Sequence, residues 1–256
     1  MRKSILVGGL VLLCSGQGPT TAFAAHPLLT EDTGTQGAGN YQLELTHDVS
    51  SDRDASSRTS TRDSNAIVSA GLTDTLDFIL TLPHERLTER TDTGKTTVTG
   101  YGDIEVAAKW RFYEANALSF ALRPGLGLPT GNADRDLGAG HATPSLFAVS
   151  TYARDDWAFH LHVGYTHQRR PGADERHHIY HASVAAEYKV NESLRLVGDA
   201  SIERNGKRSG HPGVGSMVIG LVASLTPDLD FDFGYRAGLT EPAADHAWLA
   251  GLALRF

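Results

Sequence analysis

The chain has 256 residues, with 23 Lys and Arg against 30 Asp and Glu, and a single cysteine. A formal charge of −7 with no clustered basic stretch excludes nucleic acid as a partner, because phosphate binding needs grouped cations. The lone thiol, Cys14, excludes a disulfide framework and a cysteine metal site.

The chain opens with Arg2 and Lys3, an apolar run from Ile5 to Leu13, and an A-x-A site at Ala22-Phe23-Ala24. That order predicts a signal peptide over residues 1–25, since so short a run falls well below the roughly 20 residues of a membrane helix. Leu13 before Cys14 does not suit a lipoprotein site. Loss of Arg2 and Lys3 takes the charge from −7 to −9. Residues 26–40 (HPLLTEDTGTQGAGN) have no period and read as a short lead on the periplasmic side.

Twelve runs of about ten residues follow, the length of a tilted membrane strand. In each, apolar and polar side chains alternate, so a strand would carry one apolar face. Tyr41, Leu43 and Leu45 open the first run; Ala66, Val68, Ala70 and Leu72 mark the second, and Leu76, Phe78, Leu80 and Leu82 the third. The fourth sets Ile104, Val106, Ala108, Trp110 and Phe112 against Asp103, Glu105, Lys109 and Arg111. The fifth carries Leu118, Phe120, Leu122, Leu126 and Leu128 around Pro124. The sixth, 144–153, leaves two faces open: Leu146, Ala148 and Tyr152, or Phe147 and Val149. Trp157 to Tyr165, Tyr180 to Tyr188, Leu194 to Ile202 and Met217 to Leu225 supply the next four. The last two are Leu229 to Leu239 and Trp248 to Phe256.

Five short turns alternate with six long polar stretches at 51–62, 87–100, 129–142, 169–177, 205–212 and 240–245. Short turns at one end and long loops at the other match an outer-membrane barrel. The expected fold is therefore all-β, a transmembrane antiparallel up-and-down β-barrel of about 12 strands over residues 26–256. Closure is required, because an open sheet edge in hydrocarbon leaves backbone groups unpaired at several kcal/mol each. Outer-membrane lipid and a small-molecule solute are the expected partners, in a bacterial outer membrane, and no cofactor is expected.

Three segments carry a family resemblance. They are HPLLTEDTGTQGAGNYQLEL (from His26), GYGDIEVAAKWRF (Gly100 to Phe112) and LRPGLGLPTGN (Leu122 to Asn132). They resemble the outer-membrane transporter family called "Putative MetA-pathway of phenol degradation". The resemblance implies a barrel of this size that moves small, often aromatic or apolar, compounds across the outer membrane. It brings no catalytic residues.

Inward positions carry both signs. The candidate lumen residues are Asp103, Glu105, Lys109, Arg111, Arg123, His160, His162, His181, Glu187, Arg195, Asp199, Asp230, Asp232 and Arg236. Such charges either tune a pore or pair with one another to fill it. Pairing of the seventh and eighth runs would bring His162 diagonal to His181; lumen polar groups, rather than metal ligands, are the reading adopted. A lipid hydrolase is the rival from another class, through Tyr165-Thr166-His167-Gln168. The nucleophile position there holds Arg169, so His167 has no hydroxyl to activate. A structural or adhesive barrel is the other alternative. Residues 50–64 read as a mobile surface loop, and Gly131 to Asp136 as a polar loop lacking the rest of a calcium motif.

Overall fold

Val218 is 1% exposed and its neighbour Ile219 is 61% exposed. That contrast between adjacent residues is the period of two that builds the whole wall. The structure is a computed structural model that describes residues 26–54, 56–168 and 174–256; the expected leader at 1–25 lies outside the described residues. Its strands are β1 (Tyr41–Arg53), β2 (Ser57–Thr73), β3 (Leu76–Thr91), β4 (Gly94–Tyr101), β5 (Ile104–Ala115), β6 (Leu118–Leu128), β7 (Thr143–Arg154), β8 (Trp157–His167), β9 (His178–Asn191), β10 (Leu194–Arg204), β11 (Gly213–Thr226), β12 (Leu229–Gly238) and β13 (His246–Arg255).

Each strand pairs antiparallel with its sequence neighbour, and β1 pairs with β13 from Gln42↔Arg255 to Ser51↔His246. Reciprocal backbone bonds between Tyr41 and Phe256 finish the seam. The sheet is therefore a closed barrel. Thirteen segments occupy twelve wall positions, because β4 and β5 share one. β3 pairs with β5 from Leu76 to Thr81 and with β4 from His84 upward. Pro124 has no N–H to donate, and the β5–β6 ladder is interrupted between Ala107 and Trp110.

Two of the expected loops are strands. Residues 51–53 extend β1 and 57–62 extend β2, while 87–91 and 94–100 form a β3–β4 hairpin. The composition of Ser, Thr and charge is what misleads there; Ser and Thr repeat with period two and pair across the strands. The sixth run resolves clearly. Leu146 and Tyr152 point outward, and Val149 is buried inside.

The outward face is a continuous apolar band. Phe78, Trp110, Leu146, Leu161, Val184, Phe233 and Leu252 are all at least two-fifths exposed. An apolar surface of that extent on a single chain needs a covering apolar phase.

Candidate functional site

The inner wall is lined by a segment that sequence reasoning placed elsewhere. Residues 26–36 do not lie beyond the periplasmic rim: they run inside the cylinder. From its lower end the segment is anchored by Gln36 N–H to Asp77 of β3 at 3.0 Å, and by the Thr35 hydroxyl to the Asp74 carbonyl at 2.8 Å. Thr33 N–H donates to the Thr151 hydroxyl of β7, and its own hydroxyl bonds Ser119 of β6. Asp32 lies 3.7 Å from Lys109 of β5, and Glu31 lies 2.9 Å from Arg123 of β6. The backbone N–H groups of Thr30 and Leu29 both donate to Asp199 of β10, at 2.8 and 3.1 Å. His26 ends the segment between Asp232 of β12 and Asp48 of β1. Both its ring nitrogens face carboxylates, and only an imidazolium donates from both.

Together the contacts reach β3, β5, β6, β7, β10, β12 and β1. The segment is a collar around the inner wall. The dimensions agree. Twelve strands about 4.8 Å apart, tilted about 40°, close on a circumference of about 75 Å and a radius of about 12 Å. A chain about 5 Å inside that wall, half the separation of packed sheets, travels about 40 Å per circuit. Eleven extended residues span at most about 40 Å. One circuit is what the length allows.

Apolar side chains hold the collar on one side. Leu28 packs with Ala185, Val197 and Val222, and Leu29 packs against Val218, Ala247 and Leu249. Full burial of a Leu contributes about 1.5–3 kcal/mol. Pro27 sits over Gly220 and Gly234, where an added Cβ would meet its ring at 2.8 Å. The lower end approaches as closely: a Cβ on Gly71 would stand 1.8 Å from the Gly37 carbonyl oxygen. The barrel's inward glycines make the groove in which the collar lies.

The candidate residues divide by what they touch. Lys109, Arg123, Asp199 and Asp232 hold the collar directly. Glu105 accepts both terminal nitrogens of Arg123, at 2.9 and 3.2 Å. Arg236 lies 3.6 Å from Asp48, the carboxylate that His26 also meets. Glu187, Arg195 and Asp230 form a chain with Arg255: Glu187 to Arg195 at 3.1 Å, Arg195 to Asp230 at 3.7 Å, and Arg255 to Asp230 at 3.0 Å. His160 lies 3.3 Å from Glu187 and 2.9 Å from the Thr151 hydroxyl. His162 and His181 do meet, with ring centroids 5.2 Å apart, and both pack on Phe147. Among the described residues, no group of three or more potential ligands is arranged around a metal position.

Two candidates stand apart. Arg111 turns toward the periplasmic turn, bonding the Asp74 carbonyl at 3.1 Å and lying 3.1 Å from Glu114. Asp103 holds the opposite rim, accepting the N–H groups of Gly131 and Ala139. That arrangement explains the polar loop at 131–136: its backbone is tied to an aspartate at the β4–β5 break. His167 faces Tyr165 and His178 on the outer surface, and position 169 beside it lies outside the described residues.

A family profile described as "Putative MetA-pathway of phenol degradation" matches residues 30–256. No curated protein sequence matches. Among solved structures, an outer membrane channel from Pseudomonas putida F1 superimposes with a TM-score of 0.70 at 18% identity, covering 86% of this chain and 96% of that one. The NanC porin gives 0.57 at 10% identity, over 84% and 98%. The KdgM porin in complex with disordered oligogalacturonate gives 0.54 at 9% identity, over 84% and 99%. At these identities the likeness is one of fold, an outer-membrane barrel.

Proposed function

The chain belongs to the outer-membrane family described as "Putative MetA-pathway of phenol degradation", and from that premise we propose that it is a passive conduit whose bore is set by its own N-terminal collar. The observation that carries this reading is the collar: residues 26–36 follow the wall once around and are fixed to it at both ends. A segment lying along a wall narrows a lumen without crossing it. The porin and channel folds of the neighbours support the same reading.

The family description supports a small aromatic solute. The buried apolar patch of Val197, Val218, Val222, Ala247 and Leu249 is covered by Leu28 and Leu29, and Lys109 and Arg123 pair with Asp32 and Glu31, so these wall side chains seat the collar that sets the bore. Passive diffusion requires no catalytic group, and the sequence offers no hydroxyl at position 169 for His167 to activate.

The test is permeation into protein-loaded vesicles of an aromatic carboxylate and of a sugar of similar mass. Faster entry of the aromatic solute is the expected result. Vesicles as tight with protein as without it would refute the conduit. Release of fatty acid from phospholipid by the purified protein would move the reading to a hydrolase.

A further inference from the structure

The outer surface above the apolar band changes character within three rows of side chains. Going up β2 and β3, outward Val68 and Leu80, then Ala66 and Leu82, give way to Ser64 and His84. Tyr101 of β4, 75% exposed, packs edge-on to His84, the position an interfacial aromatic takes. Above it every charged outward side chain on these strands is a cation. Arg62 stands directly opposite Arg86. Two rows higher, past Ser60 and Thr88, Arg53, Arg58, Arg90 and Lys95 form a single row across four adjacent strands, each the direct partner of the next.

Neighbouring strands are about 4.8 Å apart, and like charges directly opposite destabilise a sheet. Among the described residues, no carboxylate forms an ion pair with any of these six side chains, and all six are exposed. Among the described residues, the one hydrogen bond these side chains make runs from Arg58 Nε to the Ser51 hydroxyl at 3.4 Å. The acids of the same strands, Asp52, Asp63, Glu85 and Glu89, have the opposite parity and face inward. The sheet therefore sorts its charge by face. Five of the cations, together with the hydroxyls of Ser60 and Thr88, line a groove of about 230 Å³: Arg58, Arg62, Arg86, Arg90 and Lys95.

We propose that this outward basic row docks the phosphate groups of the phosphorylated glycolipid that forms the outer leaflet of the outer membrane. The position selects the source. The row lies on the convex face, away from the lumen, so a solute in transit does not meet it. Arg62 and Arg86 stand one row above the aromatic edge of the apolar band, and the four-cation row stands two rows above them, a rise that a large headgroup of phosphorylated sugars spans. A bisphosphorylated headgroup supplies the anions that four adjacent cations lack, and Arg pairs with phosphate through two parallel bonds.

The test uses the purified full barrel in a neutral detergent, with bisphosphorylated lipid A, its dephosphorylated form and inorganic phosphate as probes. Native mass spectrometry counts bound lipid. The wild type should retain bisphosphorylated lipid A over the dephosphorylated form, with retention falling as salt is raised. Each basic side chain removed should weaken binding about fivefold. R58Q/R90Q and R58Q/R62Q/R86Q/R90Q/K95Q give two steps of that series, and migration of the unheated barrel on gels reports folding. E85Q/E89Q, on the inner face of the same strands, should leave retention unchanged. Equal retention of the two lipid forms, or of lipid A by wild type and R58Q/R90Q, would overturn the proposal. Displacement of the lipid by inorganic phosphate at matching concentration would also overturn it, by assigning a free-anion site.

Discussion

Asp199 shows how a single side chain sets the collar. Its carboxylate accepts two consecutive backbone N–H groups, from Leu29 and Thr30, at the point where the collar's polar and apolar stretches meet. Thr30 is itself 1% exposed and spends its hydroxyl on Ser183. Removing the acceptor leaves two buried donors unsatisfied, at a cost of about 1–3 kcal/mol. Asp199→Ala should therefore free the collar's upper half while the wall stays closed, since no wall hydrogen bond uses that carboxylate. Single-channel recording should show a larger and noisier conductance than wild type, with gel migration of the unheated barrel unchanged. An unaltered conductance would mean that Asp199 does not hold the bore.

At the scale of elements, the strands were readable and the collar was not. Strand alternation is a local property, so the outward residues of the fourth run, Ile104 to Phe112, were legible from their spacing alone. The collar is held by partners such as Asp77, Asp199 and Asp232, which lie 41, 169 and 206 residues away. Nothing within HPLLTEDTGTQ announces them except a density of short polar side chains. The basic row was hidden for a similar reason. Arg53, Arg58, Arg90 and Lys95 are scattered in sequence, and only register aligns them. The collar can be fixed or the loops released to test these elements. Thr33 and Ser119 touch through their hydroxyls, and the described residues contain no cysteine. T33C/S119C should oxidise to a disulfide that ties collar to wall while solute flux stays the same; failure to cross-link, or a flux that changes with redox state, would refute a collar seated on β6. On the outer rim, Asp174 accepts the Ser209 hydroxyl and the Ser209 N–H, and these bonds hold its carboxyl below the usual range. A depressed pKa gives a contact that persists above the ordinary Asp value near 3.8 and is lost as pH falls through the lower folded value. The Ser209 amide resonance should thus stay constant from neutral pH to about 4 and titrate only below it. A midpoint at or above the ordinary value would contradict the clamp.

The whole molecule separates two tasks that share one chain. Closure belongs to the wall, whose seam joins β1 to β13 over ten residue pairs with Tyr41 and Phe256 bonded reciprocally at its foot. Bore belongs to the collar, which contributes no strand to the wall beyond a single bridge at Thr35. Inside, the wall carries its ion pairs in clusters that close on themselves, as in Glu187, Arg195, Asp230 and Arg255. Breaking one member of such a cluster leaves a buried charge uncompensated, so these residues tie strand to strand whether or not the collar is present. Deleting residues 26–34 takes away Leu28, Leu29 and the polar anchors from Thr30 to Thr33 without removing a wall hydrogen bond. The barrel should still fold, and its free radius should grow by about the 5 Å thickness of one packed chain. Because passive flux rises with cross-section, sugars that the full chain excludes should then enter, and selectivity for aromatic acids should fall. Vesicle swelling with a ladder of sugars measures both effects at once. A truncated barrel that folds but keeps the wild-type size limit would place the constriction in the wall's own side chains, and the collar would then be a brace rather than a gauge.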